Sequence, residues 1–173
     1  MSSEGDVGAA GGAQPSVLAA IDAESAGWYT LVRLVRSLNL DERMEPGYYS
    51  DPAWSVRDVV GHLGSWLAEA QVQLERMTGG TYEGHHVDID ALNARLLEAI
   101  HGQPWDVTWT QANAARTRLL QAWADLTTVD DEAAWWIRKS GADHYAEHLD
   151  RLSAWTIELL GRRPKPVGGP ASD

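Results

Sequence analysis

Cysteine is absent from the 173 residues. That excludes disulfides, a thiolate nucleophile and Cys-ligated zinc, so any thiol chemistry has to borrow its thiol from outside the chain. Phenylalanine is absent as well, and lysine is outnumbered by arginine two to twelve. With the excess of alanine, this points to a GC-rich coding genome and says nothing about activity. Positive charge is scarce, with 14 Lys and Arg against 25 Asp and Glu, a net charge of -11. No basic stripe is left that could track a phosphate backbone, so nucleic acid is not an expected partner. Long apolar runs are missing too. Nothing approaches the ~18 uncharged residues of a membrane span, and Glu4 and Asp6 stand where an export signal carries basic and apolar residues. The expectation is a soluble, unexported, cytoplasmic protein with no membrane partner. Alternating β-branched runs, internal repeats and low-complexity segments between the tails are not found either.

What is present is helical spacing. At ~100–200 residues per domain, the chain makes a single domain with room for one core. Residues 1–14 and 162–173 are rich in Gly, Ala, Ser or Pro and have little to bury, so both are expected to be disordered tails around a folded unit of residues 15–161. A first helix is expected from Pro15 to about Asn39, with Leu18, Ile21, Ser25, Trp28, Val32 and Val35 on its inner face. A loop carrying Pro46, Gly47 and Pro52 follows. Ser55 and Asp58 then form a capping-box-like start to a second helix, which Gly79 and Gly80 end. A third helix opens at Asp88 or Asp90 and carries Ile89, Leu92, Leu96 and Ile100. A fourth starts at Pro104, with Trp109, Ala112, Leu119, Trp123 and Leu126 inward. A short helix over 130–138 precedes a last long one from Ala142 to Gly161. The predicted class is all-α, an antiparallel four-helix bundle with a short extra helix.

Three of the six histidines fall where such a bundle can bring them together. His144 and His148 are four residues apart, on the face that continues as Leu152, Trp155 and Leu159, so both point inward. An H-x-x-x-H pair is by itself compatible with a satisfied core or surface pair. Inward imidazoles, however, need partners for their ring nitrogens, and a divalent cation supplies one to each. His62 is the natural third ligand. It lies roughly 100° from the centre of the stripe Val59, Leu63, Trp66 and Ala70, at its edge, and would face the mouth between helices. Three neutral imidazoles with open positions is the arrangement of a catalytic zinc or nickel site, because a closed structural site uses four protein ligands.

The segment Trp54-Ser-Val-Arg-Asp-Val-Val-Gly-His62-Leu, the stretch Asp88-Ile-Asp-Ala-Leu-Asn93 and the closing His144-Tyr-Ala-Glu-His148 resemble the DinB/YfiT superfamily. Within it, the sequence is most similar to the mycothiol-dependent maleylpyruvate isomerase N-terminal-like branch. The resemblance spans most of residues 15–161. It implies a four-helix bundle with a divalent metal on His62, His144 and His148. It also implies a low-molecular-weight thiol, such as mycothiol, activated for transfer to or isomerisation of a small molecule. Other members of the superfamily, the colibactin self-resistance relatives among them, depart from the triad and act on a reactive small molecule.

Further residues have two readings each. Arg116 interrupts the inward stripe of the fourth helix, so it is either ion-paired with an acid such as Glu69 or a clamp for a carboxylate on substrate or thiol. Glu69 is a general base, a partner to a metal ligand, or a solvated helix acid. Trp66 and Trp155 wall a pocket or are plain core, and Asn93 is expected to hold a buried backbone group. His85 and His86 face solvent, or supply a fourth ligand. The expected function is therefore a metal-dependent thiol transferase or isomerase of small electrophiles. The rivals are a protein that sequesters or opens a reactive natural product, and a bundle for metal storage or self-association, with a homodimer as its partner state.

Overall fold

In the computed structural model, residues 17–84 and 87–164 are described. The expectations for tail residues 1–14 and 165–173, the start at Pro15, the side chain of Leu18, and His85 and His86 lie outside them. Among the described residues every regular element is a helix: α1 Val17–Ser37, α2 Leu40–Met44, α3 Val56–Thr78, α4 Ile89–Ile100, α5 Trp105–Ala124, α6 Asp131–Ser140 and α7 Ala142–Gly161. None is long and apolar enough to cross a membrane.

Local chemistry sets the boundaries. Ser55 caps α3, its hydroxyl oxygen accepting from the Asp58 N–H at 3.4 Å while its own N–H donates to Asp58 Oδ2 at 2.8 Å. Orphan donors of the first turn are thereby satisfied. Asp88 and Asp130 cap α4 and α6 in the same way, accepting from Ala91 and Ala133. The loop expected after the first helix contains one further helix. Asn39 starts it: the Asn39 N–H donates to Glu42 Oε2 at 2.8 Å and its side chain accepts from the Glu42 N–H at 3.0 Å. Asn39 is an N-cap and not the end of the first helix, because a side chain that competes for backbone donors favours that place, so α1 stops at Ser37 and α2 begins. At the other end, Arg162 and Arg163, assigned to the C-terminal tail, return to α2. Arg162 pairs with Glu45, and Arg163 donates to Glu42 Oε1 at 2.6 Å.

Helix α3 is the hub, packing against α2, α4, α5, α6 and α7, while α1 packs mainly on α7. Val56, Val59, Val60, Leu63 and Leu67 are fully buried on it. Small residues bring α5 and α4 close: a Cβ on Gly64 would lie 2.8 Å from both Cα and Cβ of Ala112 on α5, and one on Gly61 would lie 2.8 Å from Ile100 at the end of α4. The inner face of α1 differs from its predicted stripe. Glu24, Trp28, Leu31, Val35 and Leu38 are buried, whereas Ile21, Ser25 and Val32 are half-buried. The cause is Glu24, an acid drawn inward by a partner described below. Helix α7 carries its predicted face, with His144, His148, Leu152, Trp155 and Leu159 all buried.

The α3–α5 approach generates the first prediction. Gly64→Ala must push backbone apart, an overpacking cost of about 1–3 kcal/mol, and should lower the thermal midpoint by several degrees. Gly161→Ala, where no atom lies within 4 Å, should leave it nearly unchanged. Scanning calorimetry of the two variants checks this.

Candidate metal centre

His62 on α3 meets His144 and His148 on α7, and one ligand nitrogen from each lies within 4.8 Å of the others. The turn from α6 into α7 sets the α7 pair. It passes through Gly141, where a Cβ would lie 2.8 Å from the Ile137 carbonyl oxygen. The Nε2 atoms of His62 and His144 are 3.0 Å apart. Two nitrogens bound to one zinc at ~2.0–2.1 Å in a tetrahedral site stand only slightly farther apart, at roughly 3.3 Å. His62 is 5 % exposed, His144 3 % and His148 7 %. His62 lies in the lining of a cleft between helices and is nonetheless buried. Helical periodicity describes one buried stripe, but neighbours surround α3, so a residue 100° off that stripe is buried too.

Burial comes first among the causes that keep these rings neutral. It lowers the His62 pKa to about 3 and that of His144 to about 2, assisted by the neighbouring imidazoles and by Lys139. His148 is also lowered by burial and Lys139, against an opposing pull from Glu147. Among the described residues no carboxylate joins the cluster. The Nδ1 atoms of His62 and His144 are buried without a hydrogen-bond partner. Three desolvated imidazoles arranged in this way are poor core material, and their converging lone pairs fit a divalent cation.

The histidines open onto a cleft of about 290 Å³, walled by Tyr49, Trp54, Trp66, Ile89 and Leu97, with Lys139 and Glu147 bonded to each other at 2.7 Å in its lining. The Trp54 ring lies 5.2 Å from His62 and the Trp66 ring 5.4 Å from His144. Trp66 thus lines the site. Asn93 does so as well, but it accepts from the Trp66 indole N–H at 2.8 Å instead of holding a backbone group. Trp155 is buried against Gly47 and is not in the cleft lining.

Glu69 and Arg116 are elsewhere. Glu69 lines a separate cleft, accepting from Gln73 and Arg95. The ion-pair partner of Arg116 is Glu24, not Glu69: Nε donates to Oε1 at 2.8 Å and an Nη to Oε2 at 2.7 Å. Tyr145 completes the set by donating to Glu24 Oε1 at 3.0 Å. The sequence asks for a buried acid opposite an inward arginine but does not say which, since Glu24 lies 92 residues from Arg116.

The other residue missed is Tyr48. It is fully buried, with its hydroxyl 2.9 Å from His148 Nδ1. A loop tyrosine beside another tyrosine has no periodicity to announce it.

No family model, no curated protein and no solved structure matches this chain.

Two predictions follow from the charges. The three rings accept protons more readily in the unfolded chain, where their ordinary value is 6.5. Their contribution to the metal-free protein is complete above that value and is lost as pH falls from it toward the folded values near 3 and 2. The thermal midpoint of metal-free protein should fall between about pH 7 and pH 5, and a His144→Phe variant should show a flatter profile. Arg116→Met leaves Glu24 buried and unpaired and should cost about 3–5 kcal/mol in denaturant unfolding.

Proposed function

We propose that this protein is a divalent-metal-dependent member of the DinB-like four-helix bundles, with α1, α3, α5 and α7 as its four long helices. It transfers a low-molecular-weight thiol of the mycothiol type to a small electrophile, or uses the thiol to isomerise one. The observation that carries the reading is the meeting of three buried, neutral histidines at the floor of a cleft with aromatic walls. His62, His144 and His148 hold the ion. A zinc or nickel ion bound by three neutral nitrogens keeps its full charge and supplies Lewis acidity that favours thiolate over thiol. The absence of cysteine from the chain accords with a borrowed nucleophile.

The remaining work falls to side chains around the cleft. Trp54 and Trp66 exclude water from the imidazoles and offer flat apolar faces to a substrate. Lys139 and Glu147 give the cleft one charge of each sign, through which a polar thiol can be oriented. The clamp and base roles expected of Arg116 and Glu69 are not part of this reading, because Glu24 occupies the arginine's fork and Glu69 lines another cleft.

A second reading draws on the same aromatic walls: a protein that sequesters or opens a reactive natural product, with the ion structural or absent. Two measurements decide. Elemental analysis of untagged protein should find about one zinc or nickel per chain in wild type and little in His148→Ala, since three ligands are the fewest that make such a site. Metal-loaded protein should accelerate consumption of mycothiol, or of cysteine or glutathione as stand-ins, by monochlorobimane. Equal metal in wild type and variant sinks the ligand assignment. Tight binding of the electrophile with no rate above the spontaneous reaction gives the decision to sequestration.

A further inference from the structure

Tyr48 reaches the histidine cluster from the loop between α2 and α3. Its phenol oxygen is 2.9 Å from Nδ1 of His148 and 3.1 Å from the backbone carbonyl oxygen of the same residue. The side chain is fully buried, so solvent does not compete for either contact. The loop is fixed on both sides. The N–H groups of Gly47 and Tyr48 both donate to the Trp54 carbonyl at 2.9 and 2.8 Å, and Arg151 donates to the carbonyls of Tyr48 and Gly47. Gly47 itself has φ +135, and a Cβ there would strike the Trp155 ring at 2.5 Å. Tyr48 is therefore held in place and not merely packed.

Counting protons decides what it does. The phenol has one hydrogen and two acceptors on His148 in reach, with the Tyr49 hydroxyl as a further neighbour. If it donated to Nδ1, the carbonyl contact would go unused and the imidazole proton would sit on Nε2, closing that nitrogen to a cation. If it donates to the carbonyl, Nδ1–H donates back to the phenol oxygen. Both short contacts are then hydrogen bonds, and Nε2 keeps its lone pair. The second arrangement makes one more buried hydrogen bond from the same groups, and so it wins.

We propose that Tyr48 is a positioning residue for the metal centre: by donating to the His148 carbonyl and accepting from His148 Nδ1–H, it fixes the imidazole in the tautomer whose Nε2 is open to a divalent ion. This rests on the metal-binding reading above, and it assigns to the loop a part in a site otherwise built by two helices. A hydrogen bond to the far nitrogen of a ligating histidine also fixes ring orientation and raises ligand basicity, and its removal typically costs about 10–100-fold in affinity.

The test has two arms. Long-range ¹H–¹⁵N correlation spectra of the metal-free wild type should show His148 protonated at Nδ1; protonation at Nε2 overturns the proposal without need of any variant. Titration of the metal-free protein with zinc, followed by calorimetry, should then show Tyr48→Phe binding about 10–100-fold more weakly than wild type, with His148 no longer confined to one tautomer. A control variant, Tyr29→Phe, whose exposed ring is not in the cleft lining, should bind within a few-fold of wild type. Equal zinc affinity in Tyr48→Phe and wild type overturns the role of Tyr48 and leaves the metal site standing. A wild type that takes up no zinc overturns both.

Discussion

Between Val56 and Leu67 helix α3 has no exposed residue, and that single constraint governs what the polar groups there must do. Five polar side chains along this stretch and its cap show the rule. Ser55, Arg57 and Asp58 answer one another at the helix cap, where burial pushes the Asp58 carboxyl up but the Ser55 hydroxyl and backbone and the Arg57 guanidinium hold it below its usual range. Trp66 gives its indole proton to Asn93. His62 alone among these side chains stays half-answered, sharing Nε2 with His144 while Nδ1 has no hydrogen-bond partner. The Nε2 side of the ring faces the neighbouring imidazole, while the orphaned Nδ1 lies on the far side and is an unanswered buried polar atom in its own right.

Helix α7 makes the same distinction within two consecutive residues. His144 and Tyr145 point roughly 100° apart around the helix. His144 enters the neutral imidazole cluster, whereas Tyr145 enters the charged one, donating to Glu24 beside Arg116. The charged cluster is complete, because both Glu24 oxygens face the guanidinium fork and a phenol adds a third hydrogen bond. Such a network holds α1, α5 and α7 in register but offers little to a ligand. The Glu24 cluster is thus fully paired, whereas the imidazole cluster keeps ring nitrogens without a partner.

The sequence made the two kinds of centre legible to different degrees. His144 and His148 could be placed together because a four-residue step on one helix is a local rule that tertiary contacts do not alter. Adding His62 was possible because it stands near an apolar stripe, but its depth was not legible, since periodicity records one neighbour and α3 has five. The inward direction of Arg116 was readable from the stripe it interrupts. Its acid was not, because Glu24 lies 92 residues away in sequence and Glu69 was nearer to hand. Tyr48 shows the limit. A loop residue gains its place from hydrogen bonds such as Arg151 to the Tyr48 carbonyl, and a contact 103 residues apart leaves no mark in local spacing.

That loop also separates two jobs that could have been given to the same residues. Helices α3 and α7 provide the nitrogens, and rigid elements suit ligands whose positions must agree to a fraction of an ångström. The stretch from Gly47 to Trp54 provides Tyr48 behind His148 and Tyr49 and Trp54 on the cleft wall. Its ends are tied to each other through the Trp54 carbonyl and to α7 through Arg151, so changes between the ties can reshape the wall without moving the imidazoles. Helix α4 contributes Ile89, Asn93 and Leu97 to the opposite part of the lining, and none of these touches the ligand nitrogens through a hydrogen bond. The three imidazoles are thus carried by α3 and α7 and much of the cleft lining by the loop and α4, with Tyr48 of the loop joined directly to His148.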